Sequence, residues 1–203
     1  YLPKYHQSLE QYNNITNSLH TDLHEIAGHG SGKLLPNVNT DTLGVYYSTI
    51  EETRADLVAL YYMADPKLKE FNIYDDDVNV EQAALAQYVS YLTNGAFGQL
   101  RRVELGNDLT QAHFRNRQLI SLWVLQNSDS SKVSLSVHDG LHYVEVHDIN
   151  YVRNQFGKLL SEIQRIKSTG DLNAAKDLVM NYGTNVNQEL HAECLDRINK
   201  LDM

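Results

Sequence analysis

His24-Glu25-Ile26-Ala27-Gly28-His29 is the stretch on which the reading of this chain turns. It is close to H-E-x-x-H, the metalloprotease helix in which two His on one face bind a metal and the Glu acts as general base. Here the fifth position is Gly28, and the second His arrives one place later. At roughly 100° per residue, a partner at i+4 lies about 40° from the first His and a partner at i+5 about 140° away. A regular α-helix would point His24 and His29 apart. They can share one metal only on a widened turn, and a π-type bulge provides one; such bulges cluster at functional sites. Gly28, without a Cβ, tolerates an altered backbone. Taken alone, the hexapeptide also fits two unrelated surface histidines near a helix end.

A second stretch reduces the weight of that alternative. Glu51-Glu52-Thr53-Arg54-Ala55-Asp56 opens another apolar-periodic segment with Ile50, Leu57, Leu60 and Tyr61. Catalytic zinc takes three protein ligands and keeps one position open. His24, His29 and one Glu of this segment would make such a set. The acidic pair alone also fits a helix start, with Ser48 or Thr49 as N-cap and Glu51 or Glu52 completing a capping box. The two motifs in this order and this close together are much harder to attribute to chance.

The paired motifs H-E-x-x-G-H and E-E-x-R-A-[DE] resemble those of the dipeptidyl peptidase III family of zinc exopeptidases. Gly30-Ser31-Gly32-Lys33-Leu34, Ala112-His113 with Arg117, and Arg165-Ile166-Lys167-Ser168-Thr169-Gly170-Asp171 resemble further family segments. The short connection between the zinc motifs is similar to the bacterial, Bacteroidetes-like branch. The resemblance implies that His24, His29 and Glu52 bind Zn2+ and that Glu25 is the general base. It implies that Glu51 and Asp56 orient the ligand imidazoles. His113 would hold substrate and the tetrahedral intermediate, and Arg117 would face a peptide carbonyl or carboxylate. The implied activity is release of N-terminal dipeptides from short peptides. Family members are several times longer, and an N-terminal domain of the same polypeptide forms the other wall of their cleft. Residues 1–203 are therefore expected to be one zinc-peptidase catalytic domain that binds zinc but cleaves poorly by itself; the alternative is a catalytically inactive zinc-binding or interaction domain. Some relatives carry a fused Nudix hydrolase domain.

Composition fits a globular chain with one sizeable core: 203 residues, 42% hydrophobic and 21% charged. No apolar run reaches membrane-spanning length. The formal net charge is −9 and no basic stripe stands out, so neither nucleic acid nor an anionic membrane is an expected partner. The expected compartment is the cytoplasm, with the bacterial periplasm as the alternative. Cys194 stands alone, which excludes an intrachain disulfide, and a buried thiol is expected there.

The expected fold is mainly α (α+β), a helical zincin-like domain with a small β-hairpin. Helices are predicted at about 9–29, 48–64, 80–105, 109–126, 149–167, 172–182 and 188–201. Gly95 and Gly98 inside the third imply close packing. Val133-Leu135-Val137 and Tyr143-Val144-Val146 flank Asp139-Gly140, a hairpin signal. His20, four residues before His24, is within reach of the metal site, but a helix surface is the favoured expectation for it. His138, His142 and His147 are expected on a solvated hairpin without acidic partners. Most of the thirteen tyrosines are expected to pack in the core.

Overall fold

A computed structural model describes residues 1–201 of the chain. Among them are eight α-helices and one two-stranded antiparallel hairpin. The central helix is α2 (Tyr47–Tyr62), which runs between α5 (Ala112–Gln126), α6 (Ile149–Thr169) and the end of the first helix. Most of it is buried, with Thr49, Ile50 and Thr53 through Leu60 inside the protein, while Ser48 and Tyr62 are exposed. Over this buried stretch polar side chains have no solvent to pair with. Arg54 and Asp56 are therefore inside the protein and must be paired there.

The chain enters through a short turn at Pro3–Tyr5 and α1 (His6–Asp22), which begins three residues earlier than the periodicity predicts. Leu9, Tyr12, Thr16 and Leu19 form its buried face, against α4 (Val80–Ala96). The backbone then widens, without a break, into a π-helical segment at Leu23–His29. The Pro36 loop that follows carries two short 3₁₀ turns at Thr40–Tyr46, joined at Gly44, whose φ is 52°. These turns lead directly into α2. The expected cap at Ser48 or Thr49 is absent: the N-cap is Tyr46, without a side-chain cap, and both residues lie inside the helix. Helix-start chemistry therefore does not explain Glu51 and Glu52.

A single-turn helix, α3 (Lys67–Glu70), follows Pro66 in a stretch for which no helix is predicted. The predicted helix over 80–105 ends early. Phe97 leaves helical geometry (φ −155°, ψ −26°), and a 3₁₀ turn at Gly98–Arg102 redirects the chain. Gly95 is the point where α4 and α5 touch. A Cβ there would lie 2.1 Å from Ser121 Oγ and 2.3 Å from the Arg117 carbonyl oxygen. That contact brings His113, Asn116 and Arg117 of α5 toward the motif helices.

Strands β1 (Val133–His138) and β2 (Leu141–Val146) pair in register, Val137 opposite His142. Asp139 (φ 51°) and Gly140 (φ 77°) make the two-residue turn, both in the left-handed region that such a hairpin needs. The Tyr5 hydroxyl accepts from the Val146 N–H (2.9 Å) and donates to its carbonyl (3.2 Å), which fastens the hairpin to the N-terminal segment. Helix α6 is capped by Asp148, which accepts from the Tyr151 N–H, and stops at left-handed Gly170. The expected helix at 172–182 divides into α7 (Leu172–Leu178) and a second π segment (Val179–Thr184); α8 (Gln188–Leu201) completes the fold. The core is one apolar cluster from Tyr5 to Leu190. Cys194 is buried beside it.

Candidate metal centre

The π segment resolves the i+5 problem. Its i→i+5 hydrogen bonding stacks residues five apart, and the His24 and His29 rings lie edge to face with centroids 4.7 Å apart. Gly28 serves a different purpose from the expected one, since its φ is not in the left-handed region. A Cβ at Gly28 would lie 2.8 Å from both Cα and Cβ of Ala55. The absent side chain lets the π segment press directly on α2. The Gly28 carbonyl then accepts from the Arg54 guanidinium, which also donates to Ser31 Oγ (3.1 Å).

This close approach places Glu52 of α2 between the two histidines. Its Oε2 is 3.3 Å from His24 Nε2 and 3.8 Å from His29 Nε2. One ligand atom from each of the three lies within 4.8 Å of the others. A tetrahedral zinc with bonds of about 2.0–2.1 Å separates its ligands by about 3.3 Å, so the spacing fits with little adjustment. Glu52 Oε2 is buried and has no hydrogen-bond partner. A buried carboxylate oxygen facing imidazole nitrogens with no bond of its own suits a cation. The His24 imidazole close to it holds the Glu52 carboxyl below the usual range, and burial opposes this only in part.

Both histidines are held from behind by carboxylates. His24 Nδ1 lies 2.6 Å from Asp56 Oδ1, and His29 Nδ1 3.0 Å from Glu51 Oε1. With Nδ1 engaged, each ring turns Nε2 toward Glu52; this is how carboxylates orient metal-binding imidazoles. Burial alone would lower the His24 pKa, but Asp56 and Glu52 overcome it and raise the value to about 10. Burial would raise Glu51, yet hydrogen bonds from Arg54, Lys167 and His29 hold it at about 2. Lys167 Nζ is 2.5 Å from Glu51 Oε2 and is itself buried. Asp56 is fully enclosed. Burial would raise its pKa as well, and bonds from His20, His24 and Tyr91 bring it far below the usual range.

His113 enters from α5 with Nδ1 3.4 Å from Glu52 Oε2 and its side chain 61% exposed, so it stands at the open side of the cluster. Arg117 is half-buried one turn further along and forms no ion pair among the described residues. Glu25 is exposed on the π segment beside His24. His20 departs from its expected surface position: its Nε2 meets Asp56 Oδ1 at 3.0 Å and its side chain is largely buried. Two of the three hairpin histidines depart too, while His147 is exposed. His138 pairs with Glu145 across the strands (2.7 Å) and His142 with Glu193 of α8 (2.6 Å). They failed to show in the sequence because one acid lies on the opposite strand and the other about fifty residues away. Arg54, Tyr91, Asn116 and Lys167 also belong to the site without having been predicted for it. Arg54 stands inside the second motif and Lys167 inside the Arg165–Asp171 segment, so both were within reach of a sequence reading; Tyr91 and Asn116 come from helices whose approach no local pattern encodes. A groove of 1180 Å³ between α2 and α6 is lined by Ala27, Arg54, Tyr61 and Tyr62 on a different face of α2, and none of His24, His29 and Glu52 borders it.

The structure is a mainly helical domain with a candidate metal-holding cluster, and comparison with known proteins bears on its class. The structure of DPP III from Caldithrix abyssi resembles this fold with a TM-score of 0.68 at 22% sequence identity. The likeness covers 95% of this chain and 34% of that one, so the chain spans about a third of that protein's length. Residues 40–200 match peptidase family M49, and the chain belongs to that family. The match includes Glu51, Glu52, Asp56, His113 and Arg117, and it begins after the His24–His29 segment.

Proposed function

We propose that this chain carries the catalytic metal centre of a zinc-dependent peptidase that releases N-terminal dipeptides from short peptides. The observation that carries the reading is the buried, unbonded Oε2 of Glu52 facing His24, His29 and His113 at 3.3 to 3.8 Å. His24, His29 and Glu52 would hold the ion; two imidazoles and a carboxylate suit zinc. Bound there, zinc polarises a scissile carbonyl and lowers the pKa of water toward about 7.

The remaining work falls to the chain's own side chains. Glu25, exposed beside His24 and outside that ligand set, takes a proton from the attacking water and delivers it to the leaving amine. His113, at the open edge, donates to the oxyanion that develops on the peptide carbonyl. Arg117, one helical turn on, faces a carbonyl or carboxylate of the peptide. Asp56 and Glu51 keep the two imidazoles aimed. The dipeptide preference and the second wall of the cleft, supplied by an N-terminal domain of the same polypeptide, rest on family membership and on the one-third coverage of the related structure. Residues 1–203 alone would then bind zinc and hydrolyse slowly. Among the described residues, no helix is long and apolar enough to cross a membrane.

The test is Glu25→Gln in the full-length protein. Zinc content is expected to stay stoichiometric while hydrolysis of a dipeptidyl-arylamide falls by about 10²–10⁴-fold. Hydrolysis at the unaltered rate would refute the assignment, and no zinc in the unaltered protein would refute the site.

A further inference from the structure

Asp56 sits where α1, α2, α4 and α5 meet, and four donors converge on it. Its Oδ2 receives the Tyr91 hydroxyl and the Asn116 amide, both at 2.6 Å. Its Oδ1 receives His24 Nδ1 at 2.6 Å and His20 Nε2 at 3.0 Å. Each carboxylate oxygen offers about two lone-pair sites, so this set fills both. The His20 ring is partly stacked on Tyr91, with centroids 5.5 Å apart. Its other nitrogen, Nδ1, is buried without a partner. A bare Nδ1 leaves the proton on Nε2, so the ring donates its one hydrogen bond to Asp56.

We infer that His20 is a positioning residue for the metal centre, acting through Asp56 to fix the His24 imidazole. The inference rests on the zinc reading above. His20 lies on the last turn of α1, one turn before His24 and just ahead of the π segment. It shares one carboxylate oxygen with the imidazole that Asp56 holds. Without it, Oδ1 has a vacant lone pair in a site closed to solvent. The carboxylate is then free to rotate about its bonds to Tyr91 and Asn116, and His24 turns with it. Tyr91 and Asn116 brace the carboxylate from the far side; His20 braces the side that faces the metal ligand.

The test uses the full-length protein, with zinc affinity measured by chelator competition and the visible spectrum recorded after cobalt substitution. His20→Ala is expected to weaken zinc about tenfold, the low end for residues behind a ligand, and to change the cobalt spectrum. His20→Gln, whose amide can donate to Asp56, is expected to restore most of both. In an Asp56→Asn background, His20→Ala is expected to add less than about twofold, because the two act in series. An Ala variant with zinc affinity within about twofold of the parent and an unchanged cobalt spectrum would overturn the inference. So would losses that multiply in the double variant. Failure of the unaltered protein to take up zinc would overturn the site itself, and with it this inference.

Discussion

Gly28→Ala sets two physical effects of known size against each other. In an ordinary helix, Ala replaces Gly with a gain of about 1 kcal/mol. At Gly28 the new Cβ would lie 2.8 Å from Ala55 Cα and Cβ and 3.1 Å from the Ala55 carbonyl oxygen. Carbon atoms in contact prefer about 3.5–4.0 Å, so the shortfall is about 1 Å against main-chain atoms that no rotamer change can relieve. Overpacking of this kind costs about 1–3 kcal/mol, and a shortfall of about 1 Å against main-chain atoms puts it in the upper part, about 2–3 kcal/mol, above the propensity gain. The expected net loss is about 1–2 kcal/mol, or roughly 2–8 °C in Tm for a domain of this length. The separation also moves His24 and His29 away from Glu52, and zinc affinity is expected to fall about tenfold, as for other disturbed ligand positions. Circular-dichroism melts with chelator and with saturating zinc, together with zinc competition, read both effects. A Tm equal to or above the parent's, with unaltered affinity, would refute the close-contact argument.

Three further outcomes follow from the structure. Glu52→Gln removes the carboxylate between the histidines and is expected to abolish stoichiometric zinc binding while the apo fold survives; metal analysis and circular dichroism check this. Arg54→Met strips a fully buried guanidinium from Glu51, Ser31 and the Gly28 carbonyl. It is expected to cost about 2–3 kcal/mol in a denaturant titration, because the charge-assisted bonds to Glu51 and the Gly28 carbonyl are lost while Lys167 and His29 still hold Glu51. Glu145, held at about 2 chiefly by Lys4, then Ser136 and His138, gives a pH-dependent contribution. A depressed carboxylate stabilises the fold above its unfolded pKa near 4.5 and loses that contribution as pH falls toward 2. With Lys4 half exposed, the amount is about 1–3 kcal/mol, and a Glu145→Gln variant is expected to lose the corresponding part of its Tm decline between pH 4.5 and pH 2. Parallel declines in the two proteins would count against it.

The features legible in the sequence are those with short-range causes. The i+5 spacing of His24 and His29 required a widened turn, and the π segment supplies it. Asp139-Gly140 marked the hairpin because both residues accept positive φ. The long helices followed their apolar periodicity, and Gly95 marked a close approach. The errors came where tertiary contact decides. Phe97 breaks a helix whose residues favour continuation, since the chain must turn there to lay α5 against α4. His20 looks like one more polar residue on an exposed face until Asp56 is set beside it. Tyr91 and Asn116 gave no local sign, because a buried carboxylate recruits whichever donors neighbouring helices bring within reach. Gly28 was flagged for the right position and the wrong reason: it is small for Ala55, not for its own backbone.

Glu51, Glu52 and Asp56 bring three negative charges toward the interior; Arg54 and Lys167 both pair with Glu51, and His20 and His24 meet Asp56. Much of the electrostatic account is thus settled before any cation arrives. Small zinc-dependent modules melt when stripped, because the ion is their main source of cohesion. This domain has an aliphatic and aromatic interior extending well beyond its histidines, so a chelator should leave a folded, reloadable vessel.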